Sequence, residues 1–323
     1  MSARPPAQIL APLNRIDRVA ARSLRDSERR RRAGERRRAG KADADAWAAQ
    51  VAKLTEAHHV VFKRIDWAEI EEMGTVAPNV PRDALSSVAR RKLADYRPSL
   101  TDSLLGRERD RRRELTDKVI AAAKADAELY ARAKAEADAH NRKLALAAEV
   151  RALNPDAIAA VLKVSGVGQA MKDIVEAFSL RSEGGRLVAH VDLIEFDALP
   201  DQECKTGAAG TAWTDLSVAD RAQLQLNNAC SVALRAAVEV LQATSVEIVD
   251  VVARICRPGG LADSDFDTVL HVKVPAMALA KANLKKMEAP TVVAALAGRF
   301  DWTSTRGLAP IALDGPSGGR AAA

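Results

Sequence analysis

From Arg107 to Leu153 the chain keeps a helical rhythm with no breaker until Asn154-Pro155, and this run constrains the fold more than any other feature. Leu115, Val119, Ala122, Leu129, Ala133, Ala137, Leu144 and Ala148 form its apolar stripe, and about 45 residues at 1.5 Å rise make a rod of roughly 65 to 70 Å. A rod of that length cannot bury its stripe alone. The small side chains let another helix approach closely: either the helix expected over Asp43 to Phe62, folded back as a hairpin, or the same helix of a second chain. The stripe serves both equally. Composition agrees, since 65 of the 323 residues are Ala and only 11 are aromatic. Side chains this small call for tight, mostly helical packing.

Ahead of the rod, Trp47, Val51, Leu54, His58 and Val61 share one stripe of the Asp43 to Phe62 helix. A connector with Gly74, Pro78 and Pro81 leads to a short helix over Arg82 to Tyr96, which Pro98 ends. Behind the rod the pattern changes. Leu187 to Phe196 alternates, with Leu187, Ala189, Val191 and Leu193 on one face and His190 and Asp192 on the other, as in a half-buried strand. Pro200 to Thr214 reads as a loop. Val218 to Gln242 reads as a helix with Leu226, Cys230, Ala233, Leu234, Ala237 and Leu241 on its apolar face and Ser231, Arg235, Glu239 and Gln242 turned away. Val246 to Ile255 and Phe266 to Val274 read as strands. In the second, Phe266, Thr268, Leu270, Val272 and Val274 face one side and Asp267, His271 and Lys273 the other. Helices over Ala276 to Met287 and Ala289 to Arg299 complete the unit. The expected class is α+β: a long N-terminal helical, coiled-coil-like hairpin followed by a small mixed α/β domain. The expected divisions are a basic arm, helical or disordered (1–42), a helical coiled-coil-like region (43–180), an α+β domain (186–312) and a disordered tail (313–323).

The formal charge of +6 is a local device. Between Arg15 and Lys41 twelve Lys and Arg face four acidic residues, a local net of +8 that leaves the rest slightly acidic. Arg29, Arg30, Arg31 and Arg32, then Arg36, Arg37 and Arg38, repel one another on a helix that Gly34 and Gly40 already weaken. A polyanion would neutralise them, so these seven are the candidate nucleic-acid contacts, with an acidic protein as the other partner of fitting charge. No aromatics are interleaved to stack bases; a solvated helical arm accounts equally well for the run. No stretch approaches the roughly 18 apolar residues of a membrane span, Met1 to Leu10 holds no signal-peptide core, and three scattered Cys make no disulfide framework. A soluble, cytoplasmic protein without a membrane partner is expected.

His58 followed by Ile65-Asp66-Trp67, together with the later Cys230-Ser231-Val232-Ala233-Leu234-Arg235-Ala236-Ala237-Val238-Glu239, resembles an uncharacterised group of bacterial proteins that join a helical, coiled-coil-like region to a small C-terminal α/β module. The resemblance runs from about Trp47 to Ile311. It implies an architecture and supplies no activity or site residues, and the Arg-rich arm lies outside it.

Three constellations could carry chemistry. Asp192 with Glu203-Cys204-Lys205 has the carboxylates and lysine of a Mg²⁺-dependent nuclease, where two carboxylates hold the metal and the lysine orients water. Such a Glu-x-Lys belongs on a buried strand, whereas here it reads as loop. Val164-Ser165-Gly166-Val167-Gly168 resembles the hairpin of a helix-hairpin-helix DNA-binding motif, although Lys172 and Asp173 depart from its spacing and an ordinary helical turn explains it as well. If the strands at 187–196 and 266–274 pair, His190, Asp192, His271 and Lys273 gather on one polar face as a binding surface. Cys204, Cys230 and Cys256 are far apart in sequence, and His58-His59 point apart on a helix, so neither set chelates a metal. No phosphate loop or dinucleotide fingerprint is present, and no metal or cofactor is expected. The reading is a non-enzymatic interaction or scaffold protein that self-associates through its rod and contacts nucleic acid through its arm; the alternative is the nuclease of Asp192, Glu203 and Lys205.

Overall fold

The computed structural model describes residues 40–99, 104, 106–183, 185–207, 210–257 and 265–313, together with the backbone of 7–10. Of the arm (1–42) only the backbone of 7–10 and residues 40–42 are described, and the tail beyond Leu313 lies outside the described residues. The chain forms two compact units, one of Met1–Asp66 with Glu149–Ala323 and one of Trp67–Ala148. The class is α+β with a long helix, as expected. In these units the 41–66 segment and residues 149–180 lie with the sheet.

The first unit is built on a seven-stranded sheet of β1 (Ala7–Leu10), β2 (Ala177–Glu183), β3 (Arg186–Asp192), β6 (Ile248–Cys256), β7 (Phe266–Pro275), β8 (Arg299–Thr303) and β9 (Gly307–Ala309), in that spatial order. Only β3 and β6 run parallel; the other neighbours are antiparallel. The crossover between them carries a separate hairpin, β4 (Gln202–Gly207) with β5 (Gly210–Asp215), and the longest helix of this unit. Helices α1 (Lys41–Thr55), α5 (Pro155–Ser165), α6 (Val167–Met171), α8 (Ala276–Lys281) and α9 (Ala289–Ala295) surround that helix and the sheet.

This helix, α7 (Val218–Ala243), starts at Ser217, whose hydroxyl accepts from the Asp220 amide at 3.1 Å, an N-cap that satisfies one orphan donor. Its apolar face lies on the sheet, and Ala233, Leu234, Ala237, Val240 and Leu241 are fully buried. Each leucine so buried contributes about 1.5 to 3 kcal/mol. The face expected to be solvated is buried too, since Asn228 and Ser231 are at most 2% exposed. The cover is the chain from Leu54 to Ile65. The expected helix over Asp43 to Phe62 stops at Thr55, and the backbone beyond it runs along α7 as a strap. Asn228 Nδ2 donates to Leu54 O (3.1 Å), Arg235 to Ala57 O (3.2 Å) and Gln242 Nε2 to Val61 O (2.8 Å), while the Ile65 amide donates to Gln242 O (3.0 Å). Arg64 closes the strap on Thr244 O, Val246 O and Glu247. A buried helix face can be polar when every group on it finds a partner, and here the partner is main chain.

In the second unit the rod is α4 (Glu108–Arg151), whose last three residues belong to the first unit. Its bounds match the rhythm read from the sequence. The groups that engage its inner stripe come from the segment before it, α2 (Trp67–Met73), the connector and α3 (Ala84–Ala94). Asp126, 2% exposed, accepts from the amides of Leu85 (2.9 Å) and Ser86 (2.8 Å) at the start of α3. Asn141 clamps Val76, accepting from its amide and donating to its carbonyl, both at 2.9 Å. His140 bonds Gly74 O at 2.9 Å, and Tyr130 accepts from Arg82, whose guanidinium also stacks 4.6 Å from the ring centre. Burial alone would raise the Asp126 carboxyl; the two amides, the Ser86 hydroxyl and the Arg90 charge outweigh it and hold the group below its ordinary value. A carboxyl lowered on folding stabilises fully above its unfolded value and loses that contribution as pH falls through the folded one. Asp126→Ala is expected to strip the Leu85 and Ser86 amides of hydrogen-exchange protection while those of Val251 and Val272 in the sheet keep theirs. In the unsubstituted chain the same two amides lose protection only in acid, below the usual carboxylate range.

Candidate functional site

Strand register decides which side chains share a surface. Ser179, His190, Val252, His271 and Arg299 line up in one row across β2, β3, β6, β7 and β8. On one side of it lie Arg181, Val188, Asp250 and Lys273, and on the other Asp192, Arg254 and Thr268. The face of the sheet opposite α7 is therefore polar. His190, Asp192, His271 and Lys273 do share it, but β3 and β7 are not paired: β6 runs between them and adds Asp250 and Arg254. An alternating Asp250, Val252, Arg254 within β6 was the available signal for these two.

One register shift corrects the reading of β7. Between Ala253 and Arg254 the partner moves from Leu270 to Thr268, so Val269 is an extra residue in β7. Such a bulge reverses the alternation beyond it. Thr268 and Phe266 thus join the polar face instead of the face under α7, and the Arg254 guanidinium stacks 4.8 Å from the Phe266 ring centre. The strand at 186–192 is also not half-buried: Val188 and Asp192 on the polar side are 8% and 1% exposed.

The centre of this face holds one buried ion pair and two imidazole–carboxylate contacts. Asp192 Oδ1 accepts from Arg254 Nε at 2.9 Å and from its terminal nitrogen at 2.5 Å, with both side chains at most 9% exposed. His271 Nε2 lies 3.7 Å from Asp250 Oδ1 and His190 Nε2 lies 4.0 Å from Glu183 Oε1. The His271 imidazole is the main cause that holds the Asp250 carboxyl below its ordinary value; burial opposes it, and Lys273 and Arg186 assist. Each imidazole thus lies near a carboxylate without a hydrogen bond to it, and Ser179 stands opposite His190 in the register, so a hydroxyl and an imidazole adjoin on this face.

The members of the nuclease constellation lie on two different sheets. Pro200 to Thr214 is a hairpin and not a loop, so Glu203 and Lys205 do lie on a strand, but on β4 of the two-stranded sheet, while Asp192 is on β3 of the large one. Lys205 Nζ lies 2.5 Å from Glu203 Oε1, and that bond is the first cause of its raised pKa. Asp192 is committed to Arg254. Among the described residues no group of three or more His, Cys, Asp or Glu could hold a metal ion.

The remaining candidates take structural roles. Gly166 adopts the left-handed conformation (φ 78°) and ends α5, its amide donating to Lys163 O at 3.3 Å. The helix after it, α6, has five residues, and Val167 at its start is 2% exposed. The chain then turns through Asp173, also left-handed (φ 64°), into β2, where a helix to Phe178 was expected. This is a helix-to-strand turn without the second helix that a helix-hairpin-helix requires. All three Cys are buried and free. Burial pushes the thiols of Cys204 and Cys230 up, so neither offers a thiolate at neutral pH. His58 and His59 stand edge to face with ring centres 4.4 Å apart, and His58 bonds Ser231, which ties together the two stretches quoted for the family resemblance. The seven arginines from Arg29 to Arg38 lie outside the described residues. Set against protein families, curated proteins and solved structures, the chain matches none.

Removing one member of a buried ion pair leaves the other charged and desolvated. Asp192→Ala is therefore expected to lower the unfolding free energy by about 3 to 5 kcal/mol in urea titration. The Asp192→Ala, Arg254→Met double variant should recover a large part of that loss.

Proposed function

We propose that this chain is a non-enzymatic interaction protein: a sheet domain that presents a long helix, with the basic segment from Arg15 to Lys41 contacting nucleic acid. One observation carries the reading. The side chains most suited to chemistry are consumed by the fold: Asp192 by Arg254, Glu203 by Lys205, and His58 by Ser231 and Met287. What remains for function is surface. No helix of the described residues is long and apolar enough to cross a membrane. The net of +8 between Arg15 and Lys41 is opposite in sign to a phosphate backbone, and such binding is sequence-independent and driven by counterion release.

The test keeps residues 7–10, because β1 pairs with β2 and deleting the whole arm would open the sheet. Gln replaces Arg29, Arg30, Arg31, Arg32, Arg36, Arg37 and Arg38, and both proteins are titrated with labelled single- and double-stranded DNA and RNA across a salt series, with and without Mg²⁺. The unsubstituted chain should bind with an affinity that falls steeply with salt, about 0.9 in log–log slope for each phosphate neutralised on duplex DNA. The variant should bind at least about tenfold more weakly with a shallower slope. No binding at low salt, or equal binding by both proteins, would refute the nucleic-acid role; Mg²⁺-dependent shortening of the probe would restore an enzymatic one.

A further inference from the structure

His58 is the strap side chain that enters the protein, and it is 1% exposed. It joins three segments. Its amide donates to Ser231 Oγ (3.3 Å) on α7, its Nδ1 meets the same oxygen (3.0 Å), and its Nε2 meets the carbonyl of Met287 (2.8 Å) in the turn between Leu284–Lys286 and α9. These contacts assign the protons. A carbonyl only accepts, so Nε2 carries hydrogen. Ser231 Oγ accepts from the His58 amide; in the neutral ring Nδ1 is then bare and takes the hydroxyl hydrogen. The neutral ring with hydrogen on Nε2 satisfies every one of these groups.

A second proton would sit on Nδ1 and turn that bond round, so that Ser231 Oγ accepts twice and its own hydrogen must leave Nδ1 for another acceptor. It would also bring a charge into a site made of neutral groups. The charged and titratable groups around the ring do not reverse this. On the strap, His59 stands beside it, with Glu56 3.4 Å from the His59 ring nitrogen. On α7, Arg235 is engaged by Glu239 at 2.7 Å. Lys285, Lys286 and Glu288 next to Met287 are exposed.

We propose that His58 is an acid-sensitive pin: the neutral ring fastens the strap of residues 54–65 across α7, and protonation releases it. The other strap contacts are made by its backbone, by the buried Leu54 and by the Arg64 side chain on Thr244 O, Val246 O and Glu247; they set where the strap docks, and none of them is made by an imidazole. Release uncovers Asn228 and Ser231 on the outer face of α7. It also opens the cleft that Glu56, Ala57 and His59 line together with Lys172, Asp173 and Arg235.

The linkage has a definite sign. Burial is the first cause that lowers the His58 pKa, with the Met287 carbonyl opposing and His59 assisting. A histidine lowered on folding contributes fully above its unfolded value, near 6.5, and loses that contribution as pH falls from there toward the folded value.

Hydrogen exchange on the full chain between pH 7.5 and 5, expressed as protection factors so that intrinsic rates cancel, tests the pin. Protection at residues 57–65 should fall at least about tenfold across that range, with the sheet amides of Val251 and Val272 unchanged. The fall should begin near pH 6.5 and level off near the pH at which NMR shows the His58 ring half protonated in the same protein. His58→Gln, whose amide can donate to Met287 and accept from Ser231, should keep the strap protected throughout, and His59→Gln should keep the response. Ser231→Ala should show the low, acid-like protection already at pH 7.5. Strap protection that ignores pH, that goes on falling well below the His58 titration, or that responds unchanged in His58→Gln overturns the proposal. The comparison of the two curves needs no variant to fold.

Discussion

The burial of α7 on both faces is the constraint on which the rest of the first unit depends. One face supplies apolar contact for the sheet, and the other offers side-chain donors and a hydroxyl to the backbone of residues 54–65. Neither cover serves without the other. A helix with this outer face in water would still be amphipathic, but the strap would then have nowhere to place its carbonyls, which are costly to bury unpaired. The sheet in turn needs α7, because β3 and β6 are joined as parallel neighbours by the crossover that contains it.

The two faces of the sheet solve burial differently. Under α7 the rows are Val, Leu and Ala, and packing is a matter of volume. On the other face charge is buried as pairs, Asp192 with Arg254 most completely. Such a pair adds little net stability compared with an apolar substitute, yet it penalises any register that separates the partners. The bulge at Val269 belongs to the same solution, for it brings Phe266 onto the face where Arg254 needs a ring to lie against.

How much of this was legible in the sequence follows from what each residue type announces. The rod was, almost to the residue, because nothing between Glu108 and Arg151 interrupts the period and Asn154 with Pro155 is an N-cap signature. The strands β6 and β7 were, from their β-branched runs. The strap was not: Ser231, Arg235 and Gln242 look alike in sequence whether they bond water or main chain, and an extended segment such as Ala57 to Arg64 has no period of its own. The β4–β5 hairpin hid behind Gly, Thr and Asp, which mark loops and turns alike, and β2 behind an apolar run that Asp173 interrupts in the left-handed conformation. Of the candidate site, the histidines and Asp192 were placed on one face correctly. Asp250 and Arg254 were missed because partners on a neighbouring strand become visible only once strand order is known, and a parallel crossover conceals that order.

The first unit is discontinuous in sequence, with Trp67–Ala148 inserted between its two parts. This fixes an order of events during synthesis. Chains emerge N-terminus first and compact segments fold as units, so the strap leaves the ribosome while its docking helix, 173 residues later at Ser231, does not yet exist. The rod and its clamps close locally in the meantime. The strap, made before the helix that holds it, is thus fastened only once that helix has emerged, and closing so long a loop slows the final step of folding far more than it weakens the finished protein.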